Sequence, residues 1–176
     1  MSLQTDQGDR VESARQKHFL AAHAASHDKV YRYFRRRTDG ASTAEDLTAD
    51  VFRIAWEKSR QDQELSVLVV FGIARNVLRN HYRSTARSLN LTQQLERERT
   101  AELGSDDGQV MEALDRLKPE EREVLLLTYW DGFSSAEVSD LLDVTATAVR
   151  MRLHRARKEL SKLLRTDHIT EDPSNA

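Results

Sequence analysis

The stretch Ser134 to Arg165, SSAEVSDLLDVTATAVRMRLHRARKELSKLLR, constrains the fold more than any other. It reads as two helices joined by a tight turn. Ser134 and Glu137 have the S-x-x-E form of a capping box, which predicts a helix start there. Val138, Leu141 and Leu142 give that helix a short apolar face. Asp143-Val144-Thr145 breaks the pattern, and the Thr145 hydroxyl suits the N-cap of a second helix. In this second helix Val149, Leu153, Ala156, Leu160 and Leu163 recur at the period of one buried stripe. Its other faces carry Arg150, Arg152, Arg155, Arg157, Lys158, Lys162 and Arg165 against a single acid, Glu159. A short helix, a turn and a longer basic helix make the helix-turn-helix layout, whose second helix enters the DNA major groove. Arginines near its start reach base edges, and those further along suit phosphates. A solvated basic face on an ordinary helical hairpin is the plainer alternative. The caps, the turn and the one-sided charge together favour DNA binding.

The chain has 176 residues, enough for one domain or two small ones. Charged residues make up 32% and aromatics 6%, with two prolines and six glycines. That composition, without an alternating β-branched run, predicts an all-α fold. Net charge is −2, so the basic residues matter through their segregation and not through their total. The absence of cysteine excludes disulfides and cysteine-ligated zinc. With no signal peptide and no apolar run near about 18 residues, a soluble, cytoplasmic protein without membrane insertion is expected.

In chain order, 1–10 is polar and expected to fray. Helical pattern runs from Val11 to Arg37, with a break expected around Ser26-His27-Asp28. Phe19, Leu20, Val30, Tyr33 and Phe34 are its apolar contacts. Arg35-Arg36-Arg37 complement the dipole at its end. Ser42 and Glu45 form a second capping-box pattern before a helix over about 43–58, with Leu47, Val51, Phe52, Ile54, Ala55 and Trp56 turned to a core. Glu45, Asp46 and Asp50 make an acidic patch on its first turns. Dipole compensation and a docking surface for a basic partner both account for that patch. A third helix spans 65–87. Its first half, Val67 to Phe71, is apolar nearly all round and expected to be buried. In its second half Arg75, Arg79, Arg83 and Arg87 recur every four residues beside Asn76, Asn80, His81 and Tyr82. Basic groups interleaved with amides and an aromatic suit nucleic acid, including single strands. A solvated arginine stripe is the competing account.

The segment 88–109, with Glu96-Arg97-Glu98-Arg99 and Gly104-Ser105-Asp106-Asp107-Gly108, lacks apolar anchors and reads as a flexible linker. It separates a domain at 11–87 from one at 110–165. In the second, Met111, Leu114 and Leu117 line a short helix, and Pro119 opens the next. Val124, Leu125, Leu127 and Tyr129 pack that helix, and Gly132 suits a left-handed cap after it. The tail 166–176 is expected to be disordered.

At this point the chain resembles a known family, the bacterial sigma factors of the extracytoplasmic-function (ECF, group 4) type of the sigma-70 family. Ala44-Glu45-Asp46-Leu47-Thr48-Ala49-Asp50-Val51-Phe52-Arg53-Ile54-Ala55-Trp56 is similar to the family's A-E-D-hydrophobic-x-Q-[ED]-V-F-x-x-x-W segment. Gly72-Ile73-Ala74-Arg75-Asn76, leading to Tyr82-Arg83, is similar to its "IARN…R" segment. Leu117-Lys118-Pro119 through Leu164 is similar to its C-terminal DNA-binding domain. Together these cover about 19–164.

The resemblance implies a division of labour. The helix bearing Glu45, Asp46, Asp50 and Arg53 would dock on the β′ clamp helices of core RNA polymerase, with the β subunit as a further partner. The third helix would recognise and help open the promoter −10 element. Asn76 matches a position that contacts a non-template base, while Arg75, Arg79, Asn80 and Arg83 are looser matches. The linker would thread toward the RNA exit channel. The basic helix would read the −35 element, with Thr145 and Thr147 at its start. Arg150, Met151, His154 and Arg155 would lie at or beside base-facing positions, and Arg152 and Arg157 would hold phosphates. An anti-sigma factor is a plausible partner, and no cofactor is implied. The chain departs from the family at Ala49, where glutamine is usual, and at Thr147-Ala148-Val149, where glycine-threonine usually precedes the valine. The tryptophan usual before the −10 helix is also absent. At Ala49 a weaker or rearranged docking contact is expected, and the family's exact −35 preference does not carry over through Thr147-Ala148-Val149.

Three other readings compete. A stand-alone helix-turn-helix regulator would need an effector or phosphoacceptor domain, and 1–87 shows no βαβ pattern. A metalloenzyme could use His23 and His27, spaced i,i+4, but no H-E-x-x-H arrangement or third ligand accompanies them. A structural adaptor leaves the basic helix unexplained.

Overall fold

In the computed structural model of the protein, the described residues are 3–59, 65–89 and 105–170, with side chains described for 12–59, 65–86 and 108–165. They are helical throughout, and no strand occurs among them. The chain divides into two compact units, Met1–Thr100 and Ala101–Ala176. Of the expected linker, 90–104 lie outside the described residues, as do 60–64 and the tail residues 171–176.

The first unit is built from α1 (Leu3–Arg35), α2 (Ala41–Ser59) and α3 (Val67–Leu89). α1 begins eight residues before Val11 and runs through Ser26 without the expected break. Ser26 is fully buried, so this stretch is held by tertiary packing against its modest helix propensity. α2 starts at Ala41, directly after Gly40 at φ +84, so Ser42 lies inside the first turn and is not the cap the sequence suggests. Thr38 meanwhile donates its hydroxyl to the Phe34 carbonyl at 2.9 Å. α3 starts two residues later than expected, because the Ser66 hydroxyl accepts the Val69 N–H at 3.3 Å. It then extends to Leu89, two residues into the expected linker.

The core of this unit gathers Val30, Tyr33 and Phe34 from α1, Leu47, Val51, Phe52 and Ala55 from α2, and Val70, Phe71, Ala74 and Leu78 from α3. Leu20, expected inside, is exposed. In the 67–71 run only Val70 and Phe71 are buried, while Val69 faces out, so the segment is amphipathic and not sealed all round. The α1–α2 seam is a ladder of side chains four residues apart. Arg15 places its guanidinium 4.0 Å over the Trp56 ring and donates to the Ser59 hydroxyl at 3.1 Å. Phe19 meets Trp56 edge-on at 5.0 Å, and His23 lies 4.4 Å from the Phe52 ring. Burying an aromatic or aliphatic side chain stabilises by about 1.5–3 kcal/mol, against about 0–1 kcal/mol for an exposed ion pair. The buried core side chains therefore hold the unit, and the surface charges are available for other tasks.

The second unit contains α4 (Ser105–Asp115), α5 (Pro119–Leu125), a single π-helical turn (Leu126–Trp130), α6 (Ser135–Leu142) and α7 (Ala146–Thr170). α4 takes in 105–109, assigned to the linker by sequence, and α7 takes in 166–170, expected to be disordered tail. Lys118 is the extended residue before α5, and Pro119 opens it. Where α5 passes into the π turn four consecutive residues, Val124 to Leu127, are buried, and the turn then directs Tyr129 and Trp130 outward. The sequence pattern places Tyr129 inside, whereas the structure leaves it exposed. Gly132 at φ +79 then reverses the chain, as its position suggests, and the Phe133 N–H reaches the Leu127 carbonyl at 3.0 Å.

The seam of the first unit carries a pH dependence. Burial, and then the neighbouring His27, hold the His23 pKa below its ordinary 6.5. The unfolded chain thus binds the proton more readily than the folded one. Stability from this group is fully present above pH 6.5 and falls as pH drops below it. Chemical denaturation across pH 5–8 should show this slope in the wild type and a flatter one in His23→Gln.

Candidate nucleic-acid interface

The helix-turn-helix is fixed at three points. At the start of α6 the capping box is complete. The Glu137 N–H donates to the Ser134 hydroxyl at 3.3 Å, and the Ser134 N–H donates to the Glu137 carboxylate at 2.8 Å. The Ser134 hydroxyl also donates to that carboxylate, at 2.7 Å. This hydroxyl bond, and then the backbone bond, hold the Glu137 carboxyl below its usual range. At the turn, Asp143 takes the left-handed conformation at φ 54, and the Val144 N–H closes onto the Ser139 carbonyl at 3.1 Å. At the start of α7 the Thr145 hydroxyl accepts the Ala148 N–H at 3.1 Å. The left-handed Asp143 was not expected, since only the break in pattern marks it; a short polar side chain tolerates that conformation better than most.

α7 packs on α4, α5 and α6 through Val149, Leu153 and Ala156, all buried, with Leu160 and Leu163 half-buried. That stripe turns Thr147, Arg150, Met151 and His154 outward together. Met151 is 58% exposed, unusual for an apolar side chain with nothing of its own unit to cover it. The Arg150 guanidinium donates to the Thr147 hydroxyl at 3.1 Å, which directs it along the start of the helix. Arg152 is half-buried. Arg155 and Arg157 turn back toward their own unit. Arg155 pairs with the buried Glu121 at 3.6 Å. Arg157 donates to the Tyr129 hydroxyl at 3.2 Å and to the Leu153 carbonyl at 3.3 Å. Sequence reasoning missed both partners. Glu121 lies in the first turn of α5, where an acid ordinarily complements the helix dipole, and Tyr129 reads as core.

In the first unit two surfaces emerge. On α2 the buried set Ala44, Leu47, Thr48, Val51, Phe52 and Ala55 leaves Glu45, Asp46, Asp50 and Arg53 exposed on the opposite face. Arg53 bridges Asp50 and Glu57 at 3.3 Å each. On α3 Asn76, Arg79, Asn80 and Arg83 are exposed and Arg75 half-buried. Arg79 donates to the Asn76 side-chain carbonyl at 2.9 Å, tying two of these residues together. His23 and His27 lie against Phe52, and no group of three metal-ligating side chains is clustered among the described residues. No helix among them is long and apolar enough to cross a membrane.

A basic recognition helix, capped at its start and exposed along one face, defines a DNA-binding helix-turn-helix module. Residues 107–160 match the family described as Sigma-70, region 4. The chain is 29% identical over 172 residues to the ECF RNA polymerase sigma factor SigL of Mycobacterium tuberculosis, covering 91% of this chain and 94% of that one. It is also 29% identical over 153 residues to the ECF RNA polymerase sigma factor BldN of Streptomyces coelicolor, covering 80% of this chain and 58% of that protein's length. Among solved structures, CnrH in complex with the cytosolic domain of CnrY superposes with a TM-score of 0.67 at 26% identity, over 90% of this chain and 95% of that one. The sigma factor RpoE of Bartonella quintana, solved with the anti-sigma factor NepR, shares the fold at a TM-score of 0.64 and 22% identity, over 86% of this chain and 97% of that one. The chain is thus similar to ECF sigma factors of the sigma-70 family along most of its length.

Removing the α6 cap should loosen the helix-turn-helix without touching the basic face. Ser134→Ala is expected to cost about 1 kcal/mol of stability. Chemical denaturation monitored on the second unit's Trp130 fluorescence checks this.

Proposed function

We propose that this protein is a non-catalytic, cytoplasmic initiation factor that binds core RNA polymerase and directs it to promoters carrying −10 and −35 elements. The observation that carries this reading is the outward set Thr147, Arg150, Met151 and His154 on a capped helix within the region 4 match. Arginine presents a bidentate fork to guanine, and a methionine methyl suits a thymine methyl or a base edge, so this face is chemically fit to read a major groove. In this reading Thr145 stays a cap near the backbone, Arg152 meets phosphate, and Arg155 and Arg157 exchange their internal partners for phosphate or base contacts at the groove's flanks.

The first unit takes the other two tasks. Glu45, Asp46, Asp50 and Arg53 dock on the β′ clamp helices. Their exposure opposite an apolar face supports this, because the charges contribute little to holding the unit together. Asn76, with Arg75, Arg79, Asn80 and Arg83, takes the opened −10 strand. Amides read base edges while neighbouring cations follow the backbone. An anti-sigma partner belongs to the same reading, supported by the binding of CnrH to the cytosolic domain of CnrY. A stand-alone regulator has no specific observation in its favour.

Two variants test the roles separately. Arg150→Ala should cost about 1–3 kcal/mol of discrimination at one −35 position, measured as transcription from a set of −35 variants. An equal loss on every sequence would make Arg150 a phosphate contact. Asp46→Arg should abolish binding to core RNA polymerase in a pull-down while leaving the thermal midpoint within a few degrees. Undiminished binding would remove the docking role.

A further inference from the structure

α3 leaves the core halfway along its length. Val77 and Leu78 are its last buried residues among the described side chains, and 79–86 are exposed or half-buried. Yet Arg79, Asn80 and Arg83 sit on this emergent half. An isolated helix end of that length frays in water, since most helical stability in proteins comes from tertiary packing. A surface meant to meet an opened strand needs its side chains held in one direction before binding, or the ordering cost is taken from affinity.

The structure supplies a tie at this point. The Tyr82 hydroxyl donates to the backbone carbonyl of Arg37, in the turn after α1. That carbonyl belongs to an immobilised residue. Arg37 is 6% exposed, its N–H bonds the Phe34 carbonyl at 2.8 Å, and its guanidinium donates to the Tyr33 carbonyl at 3.1 Å. The same guanidinium lies 3.8 Å over the Tyr33 ring. The Tyr33 ring in turn meets Phe71 of α3 edge-on at 5.5 Å. The contacts close a circuit. α3 is gripped at Phe71 and again at Tyr82, three turns further on, by one rigid corner made of Tyr33 and Arg37. The sequence reads Arg37 as one of three dipole-compensating cations, but its burial on an aromatic ring gives it a different task.

We infer that Tyr82, through Arg37, is a positioning residue that holds the emergent half of α3 in the direction needed to take an opened strand. It acts through the helix and is not itself a base contact. The inference rests on the −10 assignment above for its consequence, though not for the tie itself.

The test uses Tyr82→Phe, which keeps the ring and removes only the hydroxyl donor. In the free full-length chain, hydrogen exchange at the backbone amides of 79–89 should quicken about two- to tenfold, as expected for losing one hydrogen bond. Exchange in α2 should stay unchanged. In holoenzyme with core RNA polymerase, permanganate reactivity of a promoter selected by the wild type should fall by a similar factor, with core affinity unchanged. Unchanged exchange at 79–89 overturns the tie. Faster exchange with undiminished opening overturns the positioning role. Loss of core affinity together with the thermal midpoint would make Tyr82 a general stabiliser and overturn it as well. If wild-type holoenzyme opens no promoter, the −10 assignment fails, and with it the positioning role, while the exchange result still decides the tie.

Discussion

Everything functional on the second unit depends on the burial of Val149, Leu153 and Ala156 in α7. A helix with one apolar stripe has a single favourable orientation against its neighbours, and each buried side chain adds about 1.5–3 kcal/mol to that choice. Fixing the stripe fixes the opposite face, so Thr147, Arg150, Met151 and His154 point outward, and the Arg150–Thr147 hydrogen bond only refines that direction. The caps then fix where the helix begins. Without the left-handed Asp143 and the Thr145 hydroxyl, the same stripe could slide by a turn and present different side chains.

The first unit follows the same logic with an added layer. Its aromatic seam orients α2 so that acids face outward. α3 is oriented by Val70, Phe71, Ala74 and Leu78 only as far as it is buried. Beyond that point no described side chain of α3 is buried, and a polar tie from Tyr82 to the corner at Arg37 takes over. The outward faces of α2 and α7 are thus oriented mainly by buried apolar side chains, and the emergent half of α3 by a tie to Arg37, a cation withdrawn from solvent.

Much of this was legible in the sequence. Periodicity located the apolar stripes of α2 and α7, because buried faces repeat at helical spacing whatever they touch. The capping box at Ser134 was legible for the same reason: its partners are three residues apart. The misses concern interactions between residues far apart in the chain. Glu121 with Arg155, Tyr129 with Arg157 and Tyr82 with Arg37 leave no local signature. Ser42-Glu45 shows the converse error, a local pattern overridden when Gly40 let the helix start two residues earlier. The extent of α1, α4 and α7 was underestimated because polar helical turns lack the apolar spacing that marks a helix in sequence.

The account's central claim is that the two exposed faces serve one polymerase-dependent task. The measurement that tests it most directly is run-off transcription from a pool of promoter fragments, with and without this protein added to purified core RNA polymerase. The account predicts discrete transcripts only when the protein is present, from fragments sharing two conserved elements at fixed spacing. Retention of those fragments by the protein alone, with no transcript when core polymerase is supplied, would contradict it.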